Sequence, residues 1–172
     1  GVPADSAIPA GRIDAVKMGT TLATNALLER KGDATALFIT AGFRDQLRIG
    51  YQNRPRIFDR HIVLPAALYT ATYEVCERVT ARGEILKALD ENTARRDLAD
   101  AHRRGCRAVA VVLMHGYRYP AHEQRLTELG REAGFTQVSV SHEASPLMKL
   151  VARGDTTVAD AYLSPLLRRY VD

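Results

Sequence analysis

Lys17 to Gly32 reads KMGTTLATNALLERKG, and this stretch decides the fold. Ile13-Asp14-Ala15-Val16 before it has the pattern of a short strand, and after Gly19 the pattern turns helical. Thr20 or Thr21 suits the first turn, because a threonine oxygen accepts a bond from a free backbone N–H. Leu22, Ala26 and Leu27 share one helical stripe. Arg30 and Lys31 fall in the last turn, where cations favour the helix dipole, and Gly32 is the expected stop. Thr21, Thr24 and Asn25 cluster on the opposite side. The unit is strand, hydroxyl-rich turn, helix. Its free N–H groups and hydroxyls suit an anion or a polar carbonyl compound. A plain tight turn with a cap fits the same spacing.

Working outward, Ala34–Thr40 (ATALFIT) is a continuous apolar run, expected to be a buried strand, and Phe43–Ile49 a short helix. Strand, helix and strand with short connections predict a parallel pair with a right-handed crossover. Residues 1–12 read as an entry loop. Gly50–Pro65 holds two prolines and no period, and reads as an irregular excursion carrying Gln52, Asn53, Arg54 and Asp59. Leu68–Thr80 alternates partly, and Arg82-Gly83 followed by Glu84–Leu86 suggests a hairpin, hence a small antiparallel side element. Asn92 is the expected cap of a helix running to Arg104 and stopped by Gly105. Arg107–Met114 (RAVAVVLM) is the expected central parallel strand. A helix over Ala121–Glu132 and a strand over Gln137–Ser141 follow. A short helix is expected at Ser145–Val151, a turn at Arg153-Gly154-Asp155, and a helix over Thr156–Tyr170 bent near Pro165. The predicted fold class is α/β, a mainly parallel sheet with crossover helices.

Composition narrows the classes. With 172 residues, 46% hydrophobic and 26% charged, the chain should be globular rather than disordered. A net charge of +4 invites a nucleic-acid reading, but the arginines are scattered among 20 acidic residues, so a solvated surface is the better account. No run is long enough for a membrane span and no signal peptide is visible. Cys76 and Cys106 form no CxxC pair and suit a reducing cytosol, so a cytoplasmic location is expected. The absence of an initial Met, and an end at Tyr170-Val171-Asp172 within a helical pattern, suggest a piece of a longer polypeptide.

Ligands of open parallel sheets bind at the C-terminal strand ends. Those ends read Met18-Gly19-Thr20-Thr21, Thr40-Ala41-Gly42-Phe43-Arg44, His115-Gly116-Tyr117-Arg118 and Ser141-His142-Glu143, polar and turn-rich throughout. Neither phosphate-loop motif occurs, whether G-x-x-x-x-G-K or G-x-G-x-x-G. His115 and His122 lie seven residues apart, too far for a metal pair on one helix, and no metal site is expected. Both cysteines sit in apolar surroundings and read as core residues. In Pro120-Ala121-His122-Glu123 the acid lies near the positive end of a helix. Arg44-Asp45 and Arg54 suit a carboxylate clamp, or are simple surface ion pairs. Arg168-Arg169 reads as a solvated helix end.

Met18 to Gly32 resembles the signature of the ATP-dependent 5-oxoprolinases and hydantoinase A proteins. So do Gly42-Phe43-Arg44-Asp45, Ile49-Gly50-Tyr51-Gln52-Asn53-Arg54-Pro55, Pro120-Ala121-His122-Glu123, Arg153-Gly154-Asp155-Thr156-Thr157 and Asp160-Ala161-Tyr162-Leu163-Ser164-Pro165. Many hydantoinase-type members carry His where this chain has Met18, which favours the 5-oxoprolinase branch. The resemblance implies cleavage of a cyclic amide driven by ATP with a divalent metal such as Mg, 5-oxo-L-proline giving L-glutamate, ADP and phosphate. It implies an actin/sugar-kinase-like lobe, with residues 1–154 as the N-terminal module and residues 155–172 as the start of the next domain. It also implies hydantoinase A and B type modules as partners. The family's first phosphate loop is not found here, so the 172 residues alone are expected to hold no nucleotide and to be inactive. Gly19, Thr20, Thr21 and Asn25 are the expected substrate or phosphate contacts, with Arg44, Arg54 and Arg153 as further anion contacts. No residue is assigned as catalytic base. The alternatives are an ATP-dependent hydantoinase and a non-catalytic interaction module.

Overall fold

The computed structural model describes residues 20–52, 56, 58 and 60–171. The expected strand at 13–16, and Gly19 and Arg54 among the candidate contacts, lie outside them. The elements are α1 (Leu22–Leu28), β1 (Thr35–Thr40), α2 (Gln46–Ile49), β2 (Tyr69–Val75), β3 (Arg78–Val79), β4 (Ile85–Lys87), α3 (Glu91–Arg103), β5 (Ala108–Val112), α4 (Ala121–Glu132), β6 (Gln137–Val140), α5 (Ser141–Ala144) and α6 (Leu150–Val171). Four strands form one sheet in the order β2-β1-β5-β6, every pair parallel, and β3 and β4 form a small antiparallel pair.

β1 and β5 are central and buried along their whole lengths, as their unbroken apolar runs predict. Alternate residues face opposite layers. Ala36, Phe38, Val109 and Val111 pack with Leu98 of α3 and Leu126 and Leu129 of α4. Leu37, Ile39, Ala108, Ala110 and Val112 pack with Val158 and Ala161 of α6. Helices therefore cover both faces. Each fully buried Phe38, Leu37 or Ile39 contributes about 1.5–3 kcal/mol relative to its exposed state.

Several local expectations are corrected. Residues 69–75 belong to the main sheet, paired parallel to β1, and only β3 and β4 make the antiparallel side element. Tyr73 explains the placement: its ring stacks on Phe38 at 5.0 Å and its hydroxyl donates to Asp100 Oδ2 on α3 at 2.8 Å, which fixes β2 beside β1. Asp90, not Asn92, caps α3, its carboxylate accepting the N–H of Thr93 at 3.0 Å.

The end of α1 also differs from expectation. Arg30, at φ +56°, is the left-handed residue, with Arg30 N–H donating to Leu27 O and Lys31 N–H to Ala26 O, a Schellman closure. Gly32 serves another purpose, because a Cβ there would lie 2.2 Å from the Tyr162 ring. Residues 153–155 make no turn. They lie inside α6, which begins at Leu150, and the short helix expected at 145–151 is replaced by the single turn of α5. Gly154 sits mid-helix because Leu47 occupies the space a Cβ would need, 2.5 Å away. Pro165 is tolerated inside α6, where it removes one backbone donor.

α6 runs against the strands. Its first turns bond to the residues just after β5, and further along Tyr162 O accepts Asp33 N–H at 3.0 Å and Arg169 donates to the Asp33 carboxylate, before β1. The two edges of the sheet are thus tied by opposite ends of one helix.

Candidate active site

The C-terminal edge of the sheet is built around two buried glutamates. Glu123, in the first turn of α4, is fully buried. Its Oε1 accepts Leu113 N–H at 2.9 Å and Ser141 Oγ–H at 2.5 Å. Its Oε2 accepts His142 N–H at 3.0 Å and bonds His142 Nδ1 at 2.7 Å. Two of these donors are backbone N–H groups, one on each carboxyl oxygen. Gly116 leaves the room this needs, since a Cβ there would lie 2.2 Å from Glu123 Oε1.

Glu77, almost fully buried between β2 and β3, makes the second pair. Its Oε1 accepts Thr40 Oγ1–H at 2.6 Å and its Oε2 lies 2.9 Å from His122 Nδ1. Thr40 Oγ1 in turn accepts Met114 N–H at 2.9 Å. Adjacent residues of α4, His122 and Glu123, therefore each complete a glutamate–histidine pair with a different part of the chain. Of the first residues beyond β5, Leu113 donates its N–H to Glu123 and Met114 donates its N–H to Thr40, which in turn donates to Glu77.

Arg153 closes the arrangement from α6. Its guanidinium is fully buried and donates to Ser141 Oγ at 2.7 Å, Leu113 O at 2.9 Å and Met114 O at 3.0 Å. It lies 3.9 Å from Glu123 Oε1 and 5.5 Å from the Tyr117 ring centre. Its Nε has no partner among the described residues. Burial lowers the Arg153 pKa, opposed by the Glu123 charge. The bond to Glu123 raises that of His142, opposed by burial and supported by the Glu123 and Glu143 charges. A carboxylate holding Nδ1 favours the imidazolium.

The threonine-rich turn stands apart from this network. Thr20 Oγ1 accepts Leu22 N–H at 3.1 Å, whereas Thr21, the residue at the cap position, makes no side-chain cap bond. Thr20, Thr21 and Asn25 are all exposed. α1 leads into the start of β1, which leaves this turn at the end of α1 far from that junction. Arg44 is exposed in the turn after β1. Among the described residues no hydrogen bond joins these four to Glu123, Glu77 or Arg153. Sequence reasoning singled out Arg153 and the quartet Pro120-Ala121-His122-Glu123, and read Glu123 as a dipole partner. Glu77, Thr40, Ser141 and His142 were missed as a connected set. The polar residues at successive strand ends were the available signal.

A cavity of about 400 Å³ lies elsewhere, lined by Leu47, Ile49, Tyr51, Leu68 and Val158, with Asp155 on its wall. It shares no residue with the glutamate–histidine pairs. Its lining is mainly apolar, and burial pushes the Asp155 carboxyl up.

Among the described residues no three His, Cys, Asp or Glu side chains assemble as a metal site. The donors present, hydroxyls, amides and guanidinium groups, suit anions instead. No helix among the described residues is long and apolar enough to cross a membrane.

The fold is an α/β module, a parallel sheet with helices on both faces and buried acid–histidine pairs along its C-terminal edge. The hydantoinase/oxoprolinase N-terminal region family model matches residues 2–134, and the chain belongs to that family. It is 42% identical to an uncharacterised protein of Schizosaccharomyces pombe over 94% of this chain and 14% of that protein. It is 41% identical to 5-oxoprolinase 1 of Arabidopsis thaliana over 99% of this chain and 15% of that protein. The ATP-dependent caprolactamase from Pseudomonas jessenii superimposes with a TM-score of 0.79 at 30% identity, covering 89% of this chain and 23% of that one. The chain thus spans about one seventh of the length of these curated relatives.

Proposed function

We propose that the chain is a cleft-forming module of an ATP-dependent cyclic-amide hydrolase that converts 5-oxo-L-proline and water to L-glutamate, with ATP giving ADP and phosphate. The observation that carries this reading is the 41% identity to 5-oxoprolinase 1 across 99% of the chain. The caprolactamase likeness supports the same bond type, a cyclic amide. ATP would supply the phosphoryl group that activates the amide oxygen, a reaction that depends mainly on positioning and charge stabilisation. Thr20, Thr21 and Asn25 offer exposed hydroxyl and amide donors for substrate or phosphate, with Gly19 beside them in sequence, and Arg44 and Arg54 offer cations. Arg153 is bonded to Ser141, Leu113 and Met114 at the strand ends and is kept as a further anion contact.

The expected Mg does not fit the described residues, which assemble no acidic ligand set, so no step is assigned to it here. The hydantoinase A and B type modules would complete the site. We assign residues 1–154 to the N-terminal module and 155–172 to the start of the next domain, the two joined within α6. The free thiols Cys76 and Cys106 support a reducing, cytosolic setting.

The test is ATP hydrolysis by the whole polypeptide that carries this chain, with 5-oxoproline and hydantoin in parallel. Stimulation by 5-oxoproline alone is expected. Stimulation by hydantoin alone would move the assignment to the hydantoinase branch, and stimulation by neither would remove the substrate class. In the same protein Thr21→Ala should lower turnover about tenfold or more, as loss of a placed donor does. An unchanged rate would remove Thr21 from the site.

A further inference from the structure

We propose that His142, at the C-terminal edge of the sheet, is an acid–base residue, its Nε2 exchanging the proton that amide cleavage requires while Glu123 holds the ring from behind. This rests on the cyclic-amide reading above.

The geometry separates the two ring nitrogens. Nδ1 is committed to Glu123 Oε2 at 2.7 Å. Nε2 makes no hydrogen bond among the described residues. Its nearest charged neighbour is the exposed Glu143, whose Oε1 lies 3.7 Å away, beyond bonding distance. The backbone of the same residue is also fixed, because His142 N–H donates to the same carboxylate oxygen at 3.0 Å. The ring is therefore held at two points with one nitrogen left over, and 13% of the side chain reaches the surface. It stands at the end of β6, on the edge where parallel sheets present their ligands.

Glu123 is suited to orienting rather than reacting. It is fully buried, and both its oxygens are taken by Leu113 after β5, by α5 and by the ring itself. Such a carboxylate fixes the tautomer and stabilises the imidazolium, the part played by the acid of a catalytic triad. The charged groups facing His142 are Glu123 from α4, Glu143 from its own turn and Arg153 from α6, the carboxylates favouring its protonation and the guanidinium opposing it.

The proton balance is that of amide hydrolysis. Nε2 takes a proton from the water whose oxygen bonds to the activated carbonyl carbon. The C–N bond breaks, its electron pair goes to nitrogen, and that nitrogen receives the proton from Nε2. The remaining proton of the added water goes to the amine as the carbonyl re-forms, the imidazole ends as it began, and a second water cleaves the phosphoryl group donated by ATP from the carboxyl oxygen as phosphate.

The experiment uses the whole polypeptide, ATP and 5-oxoproline. His142→Gln keeps a donor for Glu123 and should fold. We expect kcat to fall about 100-fold or more with KM little changed, and the limb of the kcat–pH profile set by the imidazole to vanish. His142→Ala should regain turnover when free imidazole is added, which loss of a purely structural contact would not allow. Wild-type kcat and pH profile in His142→Gln, or no imidazole rescue of a folded His142→Ala, overturns the proposal while the hydrolase reading stands. Loss of the same limb in His122→Gln but not in His142→Gln moves the role to the Glu77 pair and also overturns it. A wild-type protein that cleaves no cyclic amide overturns the hydrolase reading, and this proposal with it.

Discussion

The two edges of one sheet are closed in opposite ways. At the C-terminal edge, Glu123 and Arg153 are fully buried and each is bonded both to the residues after β5 and to α5. At the N-terminal edge, α6 is fastened by an exposed pair, Arg169 to Asp33 at 2.6 Å, and by the Tyr162 ring lying against Gly32. An exposed pair tolerates any nearby arrangement, because water replaces whatever is lost. Buried charges do not, since each must find partners or bear its desolvation. The polar edge therefore commits the fold to one geometry where the ligand is expected, and the other edge needs only to hold.

The largest expected effect tests that contrast directly. Arg153→Met removes three hydrogen bonds, to Ser141 Oγ and the Leu113 and Met114 carbonyls, and takes the nearby cation from Glu123. The loss should be about 3–5 kcal/mol, the range for breaking one side of a buried charge pair. Urea unfolding of wild type and variant measures it. A loss under about 1 kcal/mol would place the two edges on equal terms.

Paired glycines sharpen the comparison at the next size. Gly116→Ala would drive a Cβ against Glu123, and Gly32→Ala would drive one against Tyr162. Each should cost about 1–3 kcal/mol, the usual range for overpacking. Only Gly116→Ala should also move the His142 titration, followed by histidine NMR, because only it displaces the carboxylate. Equal titration in both variants would break the distinction.

These contrasts show what the sequence could carry. Continuous apolar runs announced β1 and β5, and Pro120 with Glu123 announced the start of α4, because such signals are local. The helix α1 after the threonines was legible for the same reason. The Glu123 cluster was not, since it joins residues up to 40 positions apart and its members look ordinary one by one. Arg153-Gly154-Asp155 reads as a turn by composition alone. Its helical state follows from Leu47 filling the glycine's empty side, which only the assembled fold reveals. β2 misled for a similar reason. Its partial alternation is that of an edge strand, and an edge strand has the same pattern whether its partner runs parallel or antiparallel.

A pH dependence separates the edges further. His142 titrates above its ordinary 6.5 in the folded protein, through its bond to Glu123. Protonation then favours the folded state, so the pair's stabilisation is complete below 6.5 and is lost as pH rises through the raised folded value. His142→Gln should be most destabilising at acidic pH, with the gap to wild type narrowing as pH rises. Urea midpoints measured across that range would show it, and a gap that widened with pH would reverse the sign assigned to Glu123.

The smallest expected effect belongs to the N-terminal edge. Arg169 donates two hydrogen bonds to Asp33, at 3.0 and 2.6 Å, and its guanidinium is more than half exposed. Surface pairs contribute about 0.2–1 kcal/mol, and salt weakens them because the Debye length falls to about 3 Å at 1 M. Arg169→Ala should therefore cost less than about 1 kcal/mol at low salt and close to nothing at 1 M. The Arg153→Met loss should persist at the same salt, because ions do not reach a fully buried guanidinium. Unfolding both variants at low and high salt places the two edges in a single comparison. If salt erased both losses alike, burial would not be what distinguishes them.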